Sequence, residues 1–260
     1  MKRSYKIVLM LFATLAVAVL VVVANVGRLR SQVKGVEVQI RYGRQPHLVD
    51  EQLVKDSVLA SLPHLLSMQV KDVDRGAVAS AASKVACLSD VYTAVSVSGK
   101  VVVKATQRRP VARLFYGGKE YYFDSEGVIM PSSRLAEPDV IVTGGDFTEP
   151  LRVDSLNAQV KSLVLVASWL DASKTYKGLV DQLYIERDGD IIMVPKLGSQ
   201  LVELGDADNL DEKFAGLMAF YREGMPRAGW NTYSRISLKF RGQVVCTKEN
   251  INNKNIQRYE

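Results

Sequence analysis

The chain has 260 residues, enough for one large or two ordinary domains, and its 47% hydrophobic content is that of a globular protein. Half of its formal charge of +6 comes from Lys2, Arg3 and Lys6, and no run of Lys or Arg exceeds two residues. The electrostatic footprint of a nucleic-acid-binding protein is therefore missing.

Residues 7–26, IVLMLFATLAVAVLVVVANV, carry no charge, and only Thr14 and Asn25 are polar. As a helix rising about 1.5 Å per residue, this block matches a bilayer core of roughly 30 Å. A cleaved signal peptide has a shorter apolar region and an A-x-A-like exit, which VVVANVGRLR does not offer. The reading is a retained single span, with residues 1–6 as a cytoplasmic tail and 27–34 as a linker. Flanking charges are balanced between Lys2, Arg3, Lys6 and Arg28, Arg30, Lys34, so orientation rests on the short N-terminus, which can form no domain. The bulk of the chain is expected outside the cytoplasm.

In VKGVEVQIRYG, Val36, Val38 and Ile40 alternate with Glu37, Gln39 and Arg41, as in a half-buried strand. Asp50 stands where an N-cap would, before Val54, Val58 and Leu62 at helical spacing, and Pro63 closes the element. A second helix starts near Asp74 with a narrow stripe of Val78, Ala81, Ala82 and Val85. The period then falls to two through Val91, Thr93, Val95 and Val97, Ser98-Gly99 turns, and Val101, Val103 and Ala105 return. Strand, helix, helix, strand, strand over 35–107 can enclose its own core.

Gln107-Arg108-Arg109-Pro110 follows at once. Proline fixes φ and pushes Arg109 toward extended backbone, so Arg108, Arg109 and Pro110 read as a stiff joint between two domains. Two long cations there face solvent or an acid. An ordinary interdomain turn accounts for them equally well. Beyond the joint, Gly117-Gly118 marks a hairpin between ARLFY and KEYYF, and Ser125-Glu126-Gly127 the next turn. PDVIVTGG reads as a buried strand and SLNAQVKSLVLVASWLD as a helix. Strands follow at LVDQLYIER, IIMVPK and LGSQLVELG, and a helix runs from about Asn209 to Tyr221. The last element is a hairpin in which Ile236, Leu238 and Phe240 face inward, Arg241-Gly242 turns and QVVCTK returns. The polar residues 249–260 read as a disordered tail.

Little here is catalytic. His47 and His64 sit in polar or proline-bounded segments without a nucleophile motif. Asp50, Asp74 and Asp188 are explained by capping and turns, and neither glycine pair builds a phosphate loop. Cys87 and Cys246 lack metal spacing and read as small apolar residues. No catalytic residue, metal set or cofactor site is expected, and the chain is read as a non-enzyme.

QRRPVAR (107–113) and YYFDSEGVIMP (121–131) are followed by PDVIVTG (138–144), an LGD ahead of a helix rich in Lys and Phe (204–220), and ISLKFRGQVVCTK (236–248). In that order they resemble the bacterial cell-division family FtsQ/DivIB, over nearly the whole chain. The resemblance implies an α+β protein with one N-terminal transmembrane helix, a polypeptide-transport-associated (POTRA) domain at 35–107 and an FtsQ-type β domain at 108–248. It also implies a single-pass scaffold of the cytoplasmic membrane at the division septum. Its partners would be of the FtsB/DivIC and FtsL type, linking early ring components to septal peptidoglycan synthesis, with no nucleic acid or small-molecule substrate.

Family partner contacts lie around the last strands, here Phe240, Arg241, Gly242, Gln243, Val244, Val245, Cys246 and Thr247. As the last strand, QVVCTK has an edge guarded only by Lys248, open to strand addition. The rival readings are a POTRA-bearing assembly or secretion factor, which needs a barrel of many strands, and an anchored wall hydrolase, which needs a catalytic set.

Overall fold

A computed structural model describes residues 10, 12–20, 23, 27, 29–152, 155–173 and 175–248. They are α+β, with mixed sheets. The transmembrane helix expected over 7–26 is corrected: among the described residues no helix is long and apolar enough to cross a membrane. The described residues therefore do not support the membrane embedding and orientation drawn from it. The expected tails, 1–6 and 249–260, lie outside the described residues.

The chain divides into two compact units between Arg108 and Arg109. In the first, β1 (Val36–Arg41), α1 (Glu51–Ser61), α2 (Arg75–Ser83), β2 (Leu88–Val95) and β3 (Val101–Gln107) follow in order. The three-stranded sheet is ordered β1-β3-β2, with β1 parallel and β2 antiparallel to β3. Both helix starts are built by aspartate caps. Asp50 accepts from Leu53 N at 2.7 Å, and Asp74 from Gly76 N at 2.8 Å. Val54, Val58, Val78 and Ala82 meet Val101 and Val103 in a core closed to water. Gln107, 4% exposed, accepts from Leu48 N at 2.6 Å and donates to Pro46 O at 2.9 Å. One buried amide thereby satisfies the loop that leads into α1.

The second unit is one mixed nine-stranded sheet, ordered β12-β11-β10-β9-β8-β7-β4-β5-β6. Its strands are β4 (Pro110–Tyr116), β5 (Lys119–Asp124), β6 (Ile129–Pro131), β7 (Ile141–Gly145), β8 (Val180–Ile185), β9 (Ile191–Pro195), β10 (Leu201–Gly205), β11 (Tyr233–Ser237) and β12 (Val245–Lys248). Parallel neighbours need a crossover. α3 (Ala158–Ala172) supplies it between β7 and β8; α4 (Leu210–Ala219) and the short α5 (Met225–Ala228) supply it between β10 and β11. The crossover helices bury Leu163, Val166, Leu170, Phe214 and Leu217 in one cluster with Leu183, Ile191, Val202 and Ile236 of the sheet.

Between α4 and α5 the helix widens into a π turn, Phe220–Gly224. Pro226 is the cause: it has no N–H to give and its ring crowds the preceding turn. Gly224 is required there, because a Cβ would lie 2.6 Å from the Phe220 ring.

The terminal hairpin is looser than expected. β11 stops at Ser237 and β12 starts at Val245, so 238–244 form a loop, and Gln243 and Val244 precede the strand. The turn does fall at Arg241-Gly242, with Gln243 N bonded to Phe240 O at 3.1 Å and Gly242 at φ 69°. Leu238 is buried, but Phe240 is 57% exposed. Alternation fails beyond Ser237 because the chain has left the sheet.

Candidate docking edge

β12 is hydrogen-bonded to β11 on one side and, among the described residues, to nothing on the other. The direction of its amides follows from the neighbouring ladder. Leu238 N donates to Glu203 O at 2.8 Å, and Glu203 lies opposite Ser237 in the parallel β10–β11 pair. Main-chain groups of successive residues alternate sides, so Leu238 and Ile236 bond β10, whereas Ser237 turns to β12. Ser237 lies opposite Val245 and Ile236 opposite Cys246. Val245 and Thr247 therefore bond inward to β11. Cys246 and Lys248 present their N–H and C=O groups outward.

The side chains divide the other way. Val244 and Cys246 are half-buried against the core, and Val245 is 42% exposed on the opposite face with Thr247. Beside Val244 a groove of about 390 Å³ runs between α4 and the 238–244 loop, floored by Ala215, Gly216 and Ala219. These small residues are the part of the surface that sequence reading missed. Their signal is a break in α4, whose other positions carry Leu210, Phe214 and Leu217.

Ion pairs brace this end of the sheet. Arg235 on β11 pairs with Glu203 on β10, and Lys239 pairs with Asp190 at the start of β9. Burial pushes the Glu203 carboxyl up, but the hydrogen bond from Arg235, with the charges of Arg235 and Lys239, outweighs it and holds the group below its ordinary value. The hydrogen bond to Asp190 raises the Lys239 ammonium against its own desolvation. On the groove wall Lys213 pairs with Asp206, while Arg241 reaches Glu212 at 3.4 Å. Both cysteines are free. Burial raises the Cys87 thiol to about 11 and pushes Cys246 up as well.

The joint residues are held within their own units. Arg108 donates its backbone N–H to Cys87 O at 2.8 Å and Nε to Leu88 O at 3.1 Å. Arg109 reaches Asp171 on α3 at 2.6 Å, a carboxylate whose side chain is 7% exposed and which also holds Lys177 at 2.6 Å. Pro110 is buried as the first residue of β4. His47 stacks on Tyr42 with centroids 3.7 Å apart, and His64 stands at the start of a single helical turn. Asp188 accepts from Asp190 N at 3.1 Å within the β8–β9 turn.

The fold and this edge define a class: a two-unit α+β module whose mixed sheet ends, among the described residues, in a strand paired on one side only. A family model described as FtsQ/DivIB, C-terminal related, matches residues 109–247, more than half of the chain, and the chain belongs to that family. The resemblance read from the ordered motifs is thereby borne out. These are non-enzymatic cell-division proteins, and the family domain gives the chain a cell-division role exercised through divisome protein–protein interactions. No curated protein matches the chain.

Proposed function

We propose that the chain is a divisome scaffold that captures a partner of the FtsB/DivIC type by adding the partner's strand to β12. Through FtsL it would couple early ring components to septal peptidoglycan synthesis. The observation that carries this reading is the outward direction of the Cys246 and Lys248 main chain on an edge that no other described strand covers. Main-chain bonds supply affinity in such a complex, and alternate side chains supply selectivity. The half-buried Val244 and Cys246 ask for apolar partner residues on the α4 side. Exposed Val245 and Thr247 ask for β-branched or polar ones on the other.

In the same reading residues 35–107 act as a POTRA domain, and Arg108, Arg109 and Pro110 form a stiff connection to the sheet domain at 108–248. Phe240 to Thr247 make the docking segment, and the protein works at the septum without catalysis. The test is capture of a purified FtsB/DivIC-type protein, paired with localisation of a fluorescent fusion in dividing cells. Cys246→Pro removes one outward N–H and should abolish capture and mid-cell recruitment of the partner. Undiminished capture would overturn the reading.

A further inference from the structure

We infer that Lys239 is a positioning residue for the docking segment: drawn across the end of β10 onto Asp190, it fixes the path of the 238–244 loop and with it the pose in which β12 meets a partner strand. Its effect on binding rests on the docking reading above; its hold on the loop does not. The strand has little hold of its own. β12 is four residues long, its register against β11 shifts between Tyr233 and Arg235, and its inward bonds come from Val245 and Thr247. In the loop before it Phe240 is exposed, and Arg241, 84% exposed, lies 3.4 Å from Glu212, a pair that solvent screens. Lys239 is the first residue beyond Leu238, whose N–H bonds Glu203 O on β10. A tie at that point sets the direction in which the chain leaves the sheet.

Both ends of the tie are prepared by the backbone. Gly205 closes β10 at φ 71°, just past a register shift against β9, and a Cβ there would lie 2.9 Å from Cγ of Lys239. The missing side chain leaves the lane in which the lysine stem lies. At the far end the β8–β9 turn holds its carboxylates firmly. Glu186 N donates to Asp190 O at 2.8 Å, Gly189 N to Glu186 O at 3.0 Å, and Asp190 N to the Asp188 carboxylate at 3.1 Å. One carboxylate oxygen from each of Glu186, Asp188 and Asp190 lies within 4.8 Å of the others, a crowding of like charge that a cation relieves. Lys239 brings that cation from the loop. Asp190 accepts its hydrogen bond, and the charges of Glu203 and Asp188 add to it, so the ammonium is held above its ordinary value. Several carboxylates converging on one lysine make a firmer tie than an isolated surface pair. A loop already held in its bound path spares the complex the cost of ordering it.

The experiment is backbone hydrogen exchange on the purified full-length chain, followed by capture of a purified FtsB/DivIC-type protein. Lys239→Met keeps an unbranched stem beside Gly205 and removes the charge. Amides of 240–247 should then exchange roughly tenfold faster, while those of β7, β8 and β9 keep their rates. Capture should weaken about fivefold in Lys239→Met and in Asp190→Asn, and the double variant should lose no more than either, because both substitutions break one tie. Lys239→Arg should restore both readouts. Unchanged exchange over 240–247 would overturn the inference. So would a rise in exchange throughout the sheet, which marks a merely structural pair, or full-strength capture by a loosened loop. Additive losses in the double variant would also overturn it, since Lys239 would then touch the partner itself. If Cys246→Pro captures the partner as the wild type does, the docking reading fails, and the exchange rates still decide the positioning.

Discussion

Two adjacent residues, Val245 and Cys246, should respond oppositely to proline. The Val245 amide faces β11, opposite Ser237, which is 8% exposed. Val245→Pro removes that ladder bond, worth about 0.5–1.5 kcal/mol net, and orphans a buried carbonyl at a further cost of roughly 1–3 kcal/mol. A loss of about 2–4 kcal/mol lowers the melting temperature of a domain this size by roughly 5–15 °C. At Cys246 the lost N–H faces the open edge, where water replaces nothing that β11 supplied. An edge strand accepts proline on that side, so a change of about 1 kcal/mol or less is expected. The assay isolates the right unit, because both tryptophans, Trp169 and Trp230, lie within the second one. Intrinsic fluorescence melts of the two variants are compared with the wild type. If Val245→Pro melts normally while Cys246→Pro unfolds, the assigned amide directions are reversed, and the docking register built on them fails.

Removing the Asp171 carboxylate by Asp171→Ala should cost about 1–2 kcal/mol by the same fluorescence melt. That is less than a fully buried pair, since Arg109 and Lys177 stay 54% and 45% exposed and rehydrate; an unchanged melt would mean the triad adds nothing. Gly224→Ala keeps an allowed backbone but drives a Cβ into the Phe220 ring. A loss of roughly 1–3 kcal/mol is expected, and a stabilised variant would refute the steric account of the π turn. Glu203 has a folded-state pKa below its ordinary 4.5, so its contribution is present above that value and lost as pH falls through the lower folded value. Between pH 5 and pH 3 the wild type should therefore lose more stability than Glu203→Gln, and parallel melting curves would show that the carboxylate is not coupled to folding.

Much of the fold could be read locally. Asp50, Asp74 and Asn157 cap helices by bonds to their own next residues, and Gly117-Gly118, Asp188-Gly189 and Arg241-Gly242 turn where two-residue signals stand. Such features depend on neighbours a few positions away. What escaped depends on distant ones. Phe240 continues the alternation of Ile236 and Leu238, but its direction is set by where β11 parts from β10. The outward amides of β12 follow from the parallel pairing of its neighbour β11 with β10, which lies far upstream in the chain. The 7–26 block shows the converse limit: its apolar composition is plain in the sequence, yet no helix long and apolar enough to cross a membrane stands among the described residues.

The order of synthesis gives β12 a further property. Every strand it could join, from β4 through β11, precedes it in the chain. The sheet and its crossover helices can therefore close their core before the docking strand leaves the ribosome. A chain released early would lose its means of assembly while keeping most of its fold. Binding competence thus comes after the strands that bear it, and a chain still short of β12 does not compete for partners.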